Sequence, residues 1–306
     1  YTATQLLALA SQQLSLRPHN LSQQETGQIK LAAAQQEAVR MALSTGLLVI
    51  TGGPGTGKTT TIRSLLALFQ LHGLEVMLAA PTGRAAKRMT EASGVEAKTI
   101  HRLLEYAQGE GEGFTFQRNE DRPLKAHVVI VDEVSMVDLS LFCALLKAIP
   151  PSCKLILVGD MDQLPSVGPG NVLRDIIASA AVPVVKLDTV FRQSGESAII
   201  ANAHLVNSGQ MPDLSGQAKD FFFINESEPE KILETILALC SHRLPSYKNN
   251  DAIADIQVLS PMRRNLLGVD NLNIRLQAEL NQPHPAKTEL RGRGTTFRLG
   301  DKVMQI

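Results

Sequence analysis

The sequence predicts an α/β fold, a parallel sheet with helices on both faces. Two observations carry this. From residue 47 to 187, short apolar runs alternate with longer helical patterns, the signature of strand–helix–strand units. The first of those runs, Leu47-Leu48-Val49-Ile50, breaks directly into a glycine-rich turn that opens a helix. At ~100–200 residues per domain, 306 residues suggest one large domain and part of a second.

Taken in order, residues 3–16 read as a short amphipathic helix, ended by Arg17-Pro18-His19-Asn20. Residues 21–34 are a polar, alanine-rich lead-in, and 35–44 carry apolar side chains at helical spacing. Strands are expected at 47–50, 75–80, 128–131, 154–158 and 184–187. Helices are expected at 60–72, 83–92, 98–106, 139–148 and 172–179. Residues 109–123 (GEGEGFTFQRNEDRP) break the rhythm and read as an inserted β-hairpin or an exposed loop. Further on, 221–224 (FFFI) is a strand candidate, 229–244 a helix and 245–251 a polar linker. A second α/β unit is expected to open with a strand at 256–260 and a helix at 268–280. The chain starts at Tyr1 and stops at 301–306 inside what reads as another strand, as expected of a fragment cut within its second domain.

Composition narrows the class. Basic and acidic residues balance at 30 each, so no overall basic charge argues for a nucleic-acid or membrane partner. The balance is an average, because residues 84–102 hold Arg84, Lys87, Arg88, Lys98 and Arg102 against Glu91 and Glu96. Aromatics are 4% with no Trp, which disfavours a general base-stacking platform. Cys143, Cys153 and Cys240 lack the spacing of a zinc site or disulfide framework. Neither a secretory leader nor a ~20-residue apolar span is visible. A reduced, soluble, cytoplasmic protein is expected.

Three elements carry chemistry. Gly52 to Thr59 match GxxxxGK[ST] between a strand and a helix, the context of a phosphate-binding loop. There Gly53, Pro54, Gly55, Thr56, Gly57 and Thr60 would shape a cradle whose backbone N–H groups, all but that of Pro54, which has none, turn toward the phosphates of ATP. Lys58 would reach the β- and γ-phosphates and Thr59 would give its hydroxyl to Mg²⁺. The apolar run 128–131 ends in Asp132-Glu133. Asp132 would hold Mg²⁺, and Glu133 would polarise the attacking water as general base. A third strand runs into Gly159-Asp160-Met161-Asp162-Gln163, where Gln163 would contact the γ-phosphate or the lytic water. Together they point to a motor ATPase.

These residues also carry a family resemblance. GGPGTGKTTT (52–61), APTGRAAKRM (80–89), TIHRLL (99–104), VIVDEVSMVD (129–138), LVGDMDQLPSVGPGNVL (157–173) and LDTVFRQ (187–193) resemble the ordered motifs of superfamily 1 helicases. They are most similar to the RecD-like (RecD/TraA) 5′-to-3′ DNA helicases. QLPSVGPGNVL and the later QVLSPMRR (257–264) resemble the stand-alone type. The likeness covers roughly residues 30–306 and implies a RecA-like motor domain at 35–250. Domain 1B, a small strand-separating pin, would be inserted at about 107–125, and a second RecA-like domain would start at 251. Asn265 departs from the glycine the family often has there.

The resemblance further implies that Gln35 contacts adenine and that Arg192 reaches the γ-phosphate. It implies that Pro81, Thr82, Gly83, Arg84, Thr99 and His101 touch single-stranded DNA. A solvated helix face explains Lys87 and Arg88 equally well, and His101 has a structural reading beside its DNA one. The implied partners are single-stranded DNA, duplex junctions and recombination or repair proteins, with no membrane. The isolated chain is expected to bind nucleotide but to hydrolyse it poorly. A superfamily 1 RNA helicase or conjugative relaxase-helicase is the near alternative. A non-motor nucleotide switch is the alternative of another class.

Overall fold

The computed structural model describes residues 1–12, 31–108, 113–189, 197–216, 218–292 and 294–303. Two compact units divide the chain, Tyr1–Phe222 and Phe223–Ile306.

The first unit is built on a six-stranded sheet. Its strands are β1 (Leu47–Gly52), β2 (Val76–Ala80), β3 (Ala97–Thr99), β6 (Val128–Val131), β7 (Lys154–Gly159) and β8 (Val184–Leu187). They lie in the order β3-β2-β6-β7-β1-β8 and every pairing is parallel. β1, β6 and β7 are buried along their whole length, which is why they read as continuous apolar runs rather than alternating ones.

Helices cover both faces. Along each strand, successive side chains point to opposite sides. Val49, Val129, Val131, Leu155 and Leu157 face one apolar cluster with α1 (Thr2–Ser11), α5 (Ile100–Leu103), α6 (Leu139–Ala148) and α7 (Val172–Ala178). Leu48, Ile50, Val128, Ile130, Ile156 and Val158 face the other, with α2 (Ala33–Ser44), α3 (Lys58–Leu71) and α4 (Gly83–Ser93). The buried Lys154 ammonium ties the second layer down, donating to Leu43 O (3.4 Å) in the last turn of α2 and to Thr45 O (2.8 Å) just past its end. Burial pushes its pKa down to about 8.

The inserted segment is a hairpin. β4 (Tyr106–Gln108) pairs antiparallel with β5 (Phe114–Phe116). The expected helix at 98–106 is correspondingly short. Its start is β3, a three-residue edge strand, and α5 occupies a single turn. A further helix, α8 (Ala198–Asn207), follows β8 and was not anticipated.

In the second unit, α9 (Pro229–Ala238) continues through a π-turn at Leu239–Arg243 into α10 (Leu244–Lys248). The linker expected from 245 is therefore helical up to Lys248. Pro245 lacks an N–H and its ring clashes with the carbonyl four residues back, and the π-turn just before it relieves both. α11 (Val269–Leu280) packs on α9, and β9 (Glu289–Gly292) pairs antiparallel with β10 (Thr295–Arg298). Two expected strands are not formed. Among the described residues neither 221–224 nor 256–260 pairs with another strand, and Phe222, Phe223 and Leu259 are exposed. Apolar content alone gives a segment no ladder partner. The boundary between the units falls at 222/223, whereas the sequence places it at 250/251, because the α9–α10 helix packs with α11.

Candidate nucleotide site at the sheet edge

All the expected phosphate and acid residues in the described part of the chain lie just beyond the carboxyl ends of parallel strands. That rim is where open α/β sheets bind ligands. Residues 53–57 leave β1, Asp132-Glu133 leave β6, 160–163 leave β7 and Pro81-Thr82 leave β2.

The turn after β1 needs its glycines. A Cβ on Gly52 would sit 2.7 Å from Thr56 Oγ1 and 2.8 Å from Leu187 O, so only glycine lets β1 and β8 close there. Gly55 and Gly57 take positive φ (76° and 83°), a left-handed backbone that side chains disfavour. Gly57 is also the residue before α3, so the loop ends on that helix's amino terminus, where N–H groups and the helix dipole favour anions. Thr56 Oγ1 donates to Gly53 O (2.8 Å) and closes the loop on itself. Lys58 Nζ donates to Gly52 O (2.6 Å) and Gly53 O (3.1 Å), folding the ammonium over the loop. Thr59 is exposed at the helix start, with Thr60 beside it.

Gln35 is brought to the same loop from the first turn of α2. Its Nε2 donates to Gly57 O (3.2 Å) and its Oε1 accepts from the Ala32 N–H (2.9 Å). Both ends of the amide are thus engaged within the protein, and the residue is 1% exposed.

The acidic pair sits on a bend. The Glu133 N–H donates to Asp132 Oδ1 (2.8 Å), and Glu133 itself is left-handed, with φ 54° and ψ 40°. For a glutamate this is a strained backbone, of the kind that clusters at functional sites. Burial raises the Asp132 carboxyl to about 6, with the nearby Glu133 charge adding to the rise and the Glu133 N–H and the Lys58 ammonium opposing it. Glu133 Oε2 is buried with no hydrogen-bond partner among the described residues. A carboxylate oxygen without a partner is costly unless a water or ligand group meets it. The arrangement fits a magnesium-bound nucleotide: an anion cradle, one carboxylate near the lysine, and a second with an open acceptor.

Gln163 is exposed, and its Oε1 accepts from Ser135 Oγ (3.4 Å), which links the β7 turn to the β6 turn. Ser135 was not anticipated. Nor was Thr51, whose Oγ1 accepts from the Met161 N–H (3.2 Å) and joins the β1 and β7 ends. Their hydroxyls lie within longer motifs and carry no spacing signal of their own. His204 was also missed. A Cβ on Gly53 would lie 3.8 Å from its Cε1, so α8 passes beside the loop. Arg192 lies outside the described residues.

The expected DNA contacts form a separate group. Thr82 Oγ1 caps α4 by accepting from the Ala85 N–H (3.2 Å), with Gly83 and Arg84 exposed after it and Pro81 half-buried. Thr99 caps α5 in the same way through the Arg102 N–H (3.2 Å). Both hydroxyls are thus engaged in holding helix starts open toward solvent. His101 is exposed and packs on the hairpin, 5.5 Å from the Tyr106 ring and 5.8 Å from Phe116, while Tyr106 stacks on Phe114 at 5.6 Å.

Comparison with known proteins follows this geometry. An AAA domain family matches residues 35–169, the stretch from Gln35 through the β7 turn. The ATP-dependent RecD2 DNA helicase of Deinococcus radiodurans is 40% identical over 260 residues, 85% of this chain and 33% of that protein. Over most of its length the chain is similar to RecD-like helicases. A second RecD-like relative, the RecBCD enzyme subunit RecD of Mycolicibacterium smegmatis, is 34% identical over 81% of this chain and 50% of its own length. The crystal structure of the Pif1 helicase from Candida albicans aligns with TM-score 0.45 and 27% identity, over 60% of this chain and 46% of that one. The RecD-like chain thus spans between a third and a half of the length of these two relatives. Among its described residues no helix is long and apolar enough to cross a membrane.

Proposed function

We propose that the protein carrying this chain is an ATP-dependent DNA helicase. It moves 5′-to-3′ along single-stranded DNA and opens duplexes in repair or recombination, in the cytoplasm and alongside other repair proteins. The observation that carries the reading is the convergence of the Lys58 loop, the Asp132-Glu133 bend and the Gln163 turn on one rim of a parallel sheet. The RecD-like relatives, one named as an ATP-dependent DNA helicase, supply the substrate class.

In this reading, Lys58 leaves the Gly52 and Gly53 carbonyls for the β- and γ-phosphates of ATP. Residues 53–60, apart from Pro54, which has no N–H, cradle those phosphates with backbone N–H groups. Thr59 and Asp132 hold Mg²⁺, which supplies positive charge to the phosphate oxygens. Glu133 Oε2, without a partner among the described residues, accepts a hydrogen bond from the attacking water and takes its proton. Gln163, tied to Ser135, reports the loss of the γ-phosphate to the β6 and β7 turns. Arg192 stabilises charge on the transferred phosphoryl group, and Gln35 stands at the adenine side of the loop.

DNA runs over the starts of α4 and α5, where Pro81, Thr82, Gly83, Arg84, Thr99 and His101 meet it. The hairpin is domain 1B, and its acidic flank (Glu120, Asp121) suits a steric wedge at a junction better than a phosphate clamp. The first unit carries the RecA-like motor domain 1A, and the second unit, from Phe223, begins the second RecA-like domain. Stimulation of ATP hydrolysis by single-stranded DNA and by RNA, compared in the full protein, tests this. Selective stimulation by DNA is expected. Equal stimulation by RNA supports an RNA helicase instead, and none by either supports a nucleotide switch.

A further inference from the structure

His204 stands beside the phosphate loop although no sequence motif marks it. Its Cε1 lies 3.8 Å from where a Gly53 Cβ would be, and the residue is exposed. Cε1 is the ring carbon between the two nitrogens, so the polar edge of the imidazole faces the loop. Among the described residues nothing hydrogen-bonds to that ring. Gly53 is also one of the two residues whose carbonyls bind the Lys58 ammonium. The ring therefore flanks the end of the loop where the lysine sits, the end assigned to the terminal phosphates.

The helix that carries His204 is joined to the following segment by polar bonds rather than by a broad apolar face. Asn202 is its one buried residue. Asn202 Nδ2 donates to Asp213 O (3.1 Å), and Asn202 Oδ1 accepts from the Asp213 N–H (2.7 Å). Asp220 binds the helix start from outside, accepting from Ser197 Oγ (2.6 Å) and the Ala198 N–H (3.1 Å). Four directed bonds thus tie α8 to the segment that follows it. A neutral imidazole has one N–H to donate and an imidazolium has two. Either makes a charge-assisted bond to a phosphate oxygen.

We propose that His204 is a further nucleotide-contacting residue that donates to the terminal phosphate of a bound nucleoside triphosphate. The inference rests on the nucleotide site proposed above and adds a means of telling triphosphate from diphosphate. It makes α8, on the chain just after β8, a second element that senses the γ-phosphate.

The test is a fluorescence titration of the 306-residue chain with Mg²⁺ and N-methylanthraniloyl-labelled ADP or a labelled non-hydrolysable ATP analogue. His204→Ala is expected to weaken the triphosphate analogue about tenfold, the scale of one hydrogen bond to a charged group, and ADP less than about twofold. His204→Gln, which keeps an N–H donor, is expected to restore triphosphate binding to within about threefold of wild type. Equal loss of both nucleotides in His204→Ala, or no loss of either, overturns the proposal. So does a glutamine variant no better than alanine. If wild type binds neither nucleotide and matches Lys58→Ala, the nucleotide-site reading fails first and takes this inference with it.

Discussion

Replacing Asp132 with asparagine should stabilise the metal-free protein. The carboxyl rises from its ordinary 3.8 to about 6 because burial disfavours its charge. One pKa unit corresponds to about 1.4 kcal/mol, so the ionised form costs the fold up to about 3 kcal/mol. Part of the group meets water, and allowing for that leaves about 2 kcal/mol. Since the folded pKa is above the unfolded one, the folded state holds its proton longer. The cost is absent below about pH 4, grows between pH 4 and 6, and is complete above pH 6. Asparagine keeps the Oδ1 that accepts from the Glu133 N–H and removes the charge.

In a domain of this size, each kcal/mol moves the melting point by roughly 2–4 °C. Thermal unfolding followed by circular dichroism in EDTA should therefore show Asp132→Asn melting roughly 4–8 °C above wild type at pH 7.5. By pH 4.5 the advantage should shrink to about a third. Adding Mg²⁺ and a nucleotide analogue should raise wild type more than the variant, because a ligand stabilises only the form that binds it. An asparagine variant that melts lower at pH 7.5 without metal, or gains more at acid pH, would refute the burial argument.

Other outcomes follow from the same geometry. Lys58→Ala should leave the fold intact and lower nucleotide affinity about a hundredfold, read by equilibrium titration, since it removes charge-assisted contacts to phosphate. Thr82→Ala removes the α4 cap and should cost about 1 kcal/mol in denaturant unfolding. In the full protein it should weaken single-stranded DNA binding more than nucleotide binding. Tyr106→Ala unfastens the hairpin from His101 and should slow duplex unwinding more than DNA-stimulated ATP hydrolysis. Equal slowing of both would argue against a wedge.

What the sequence disclosed depended on how each element is stabilised. β1, β6 and β7 are buried on both faces, so their apolar runs stand out and their ends mark the site. The Gly52–Thr59 loop and the Asp132-Glu133 pair were legible because their chemistry demands particular residues at fixed spacing. β3 was hidden, since its Ala97-Lys98-Thr99 has no apolar pattern and is a strand only because β2 offers an edge. The β9–β10 hairpin is similarly polar and owes its form to pairing. Residues 221–224 and 256–260 erred the other way, being apolar without a partner strand. The Ser135–Gln163 bond, the Thr51–Met161 bond and the approach of His204 to Gly53 join residues 28, 110 and 151 positions apart, which no local pattern encodes. The engagement of Gln35 with Gly57 O is of the same kind: the residue was legible, its hydrogen bonds were not.

The most direct test of the motor reading is a strand-separation assay with the full protein, using duplexes that carry a single-stranded tail at either the 5′ or the 3′ end. ATP- and Mg²⁺-dependent opening of the 5′-tailed duplex alone, abolished by Lys58→Ala, is the predicted result. Opening of the 3′-tailed duplex alone, or of neither while ATP is still hydrolysed, would contradict it.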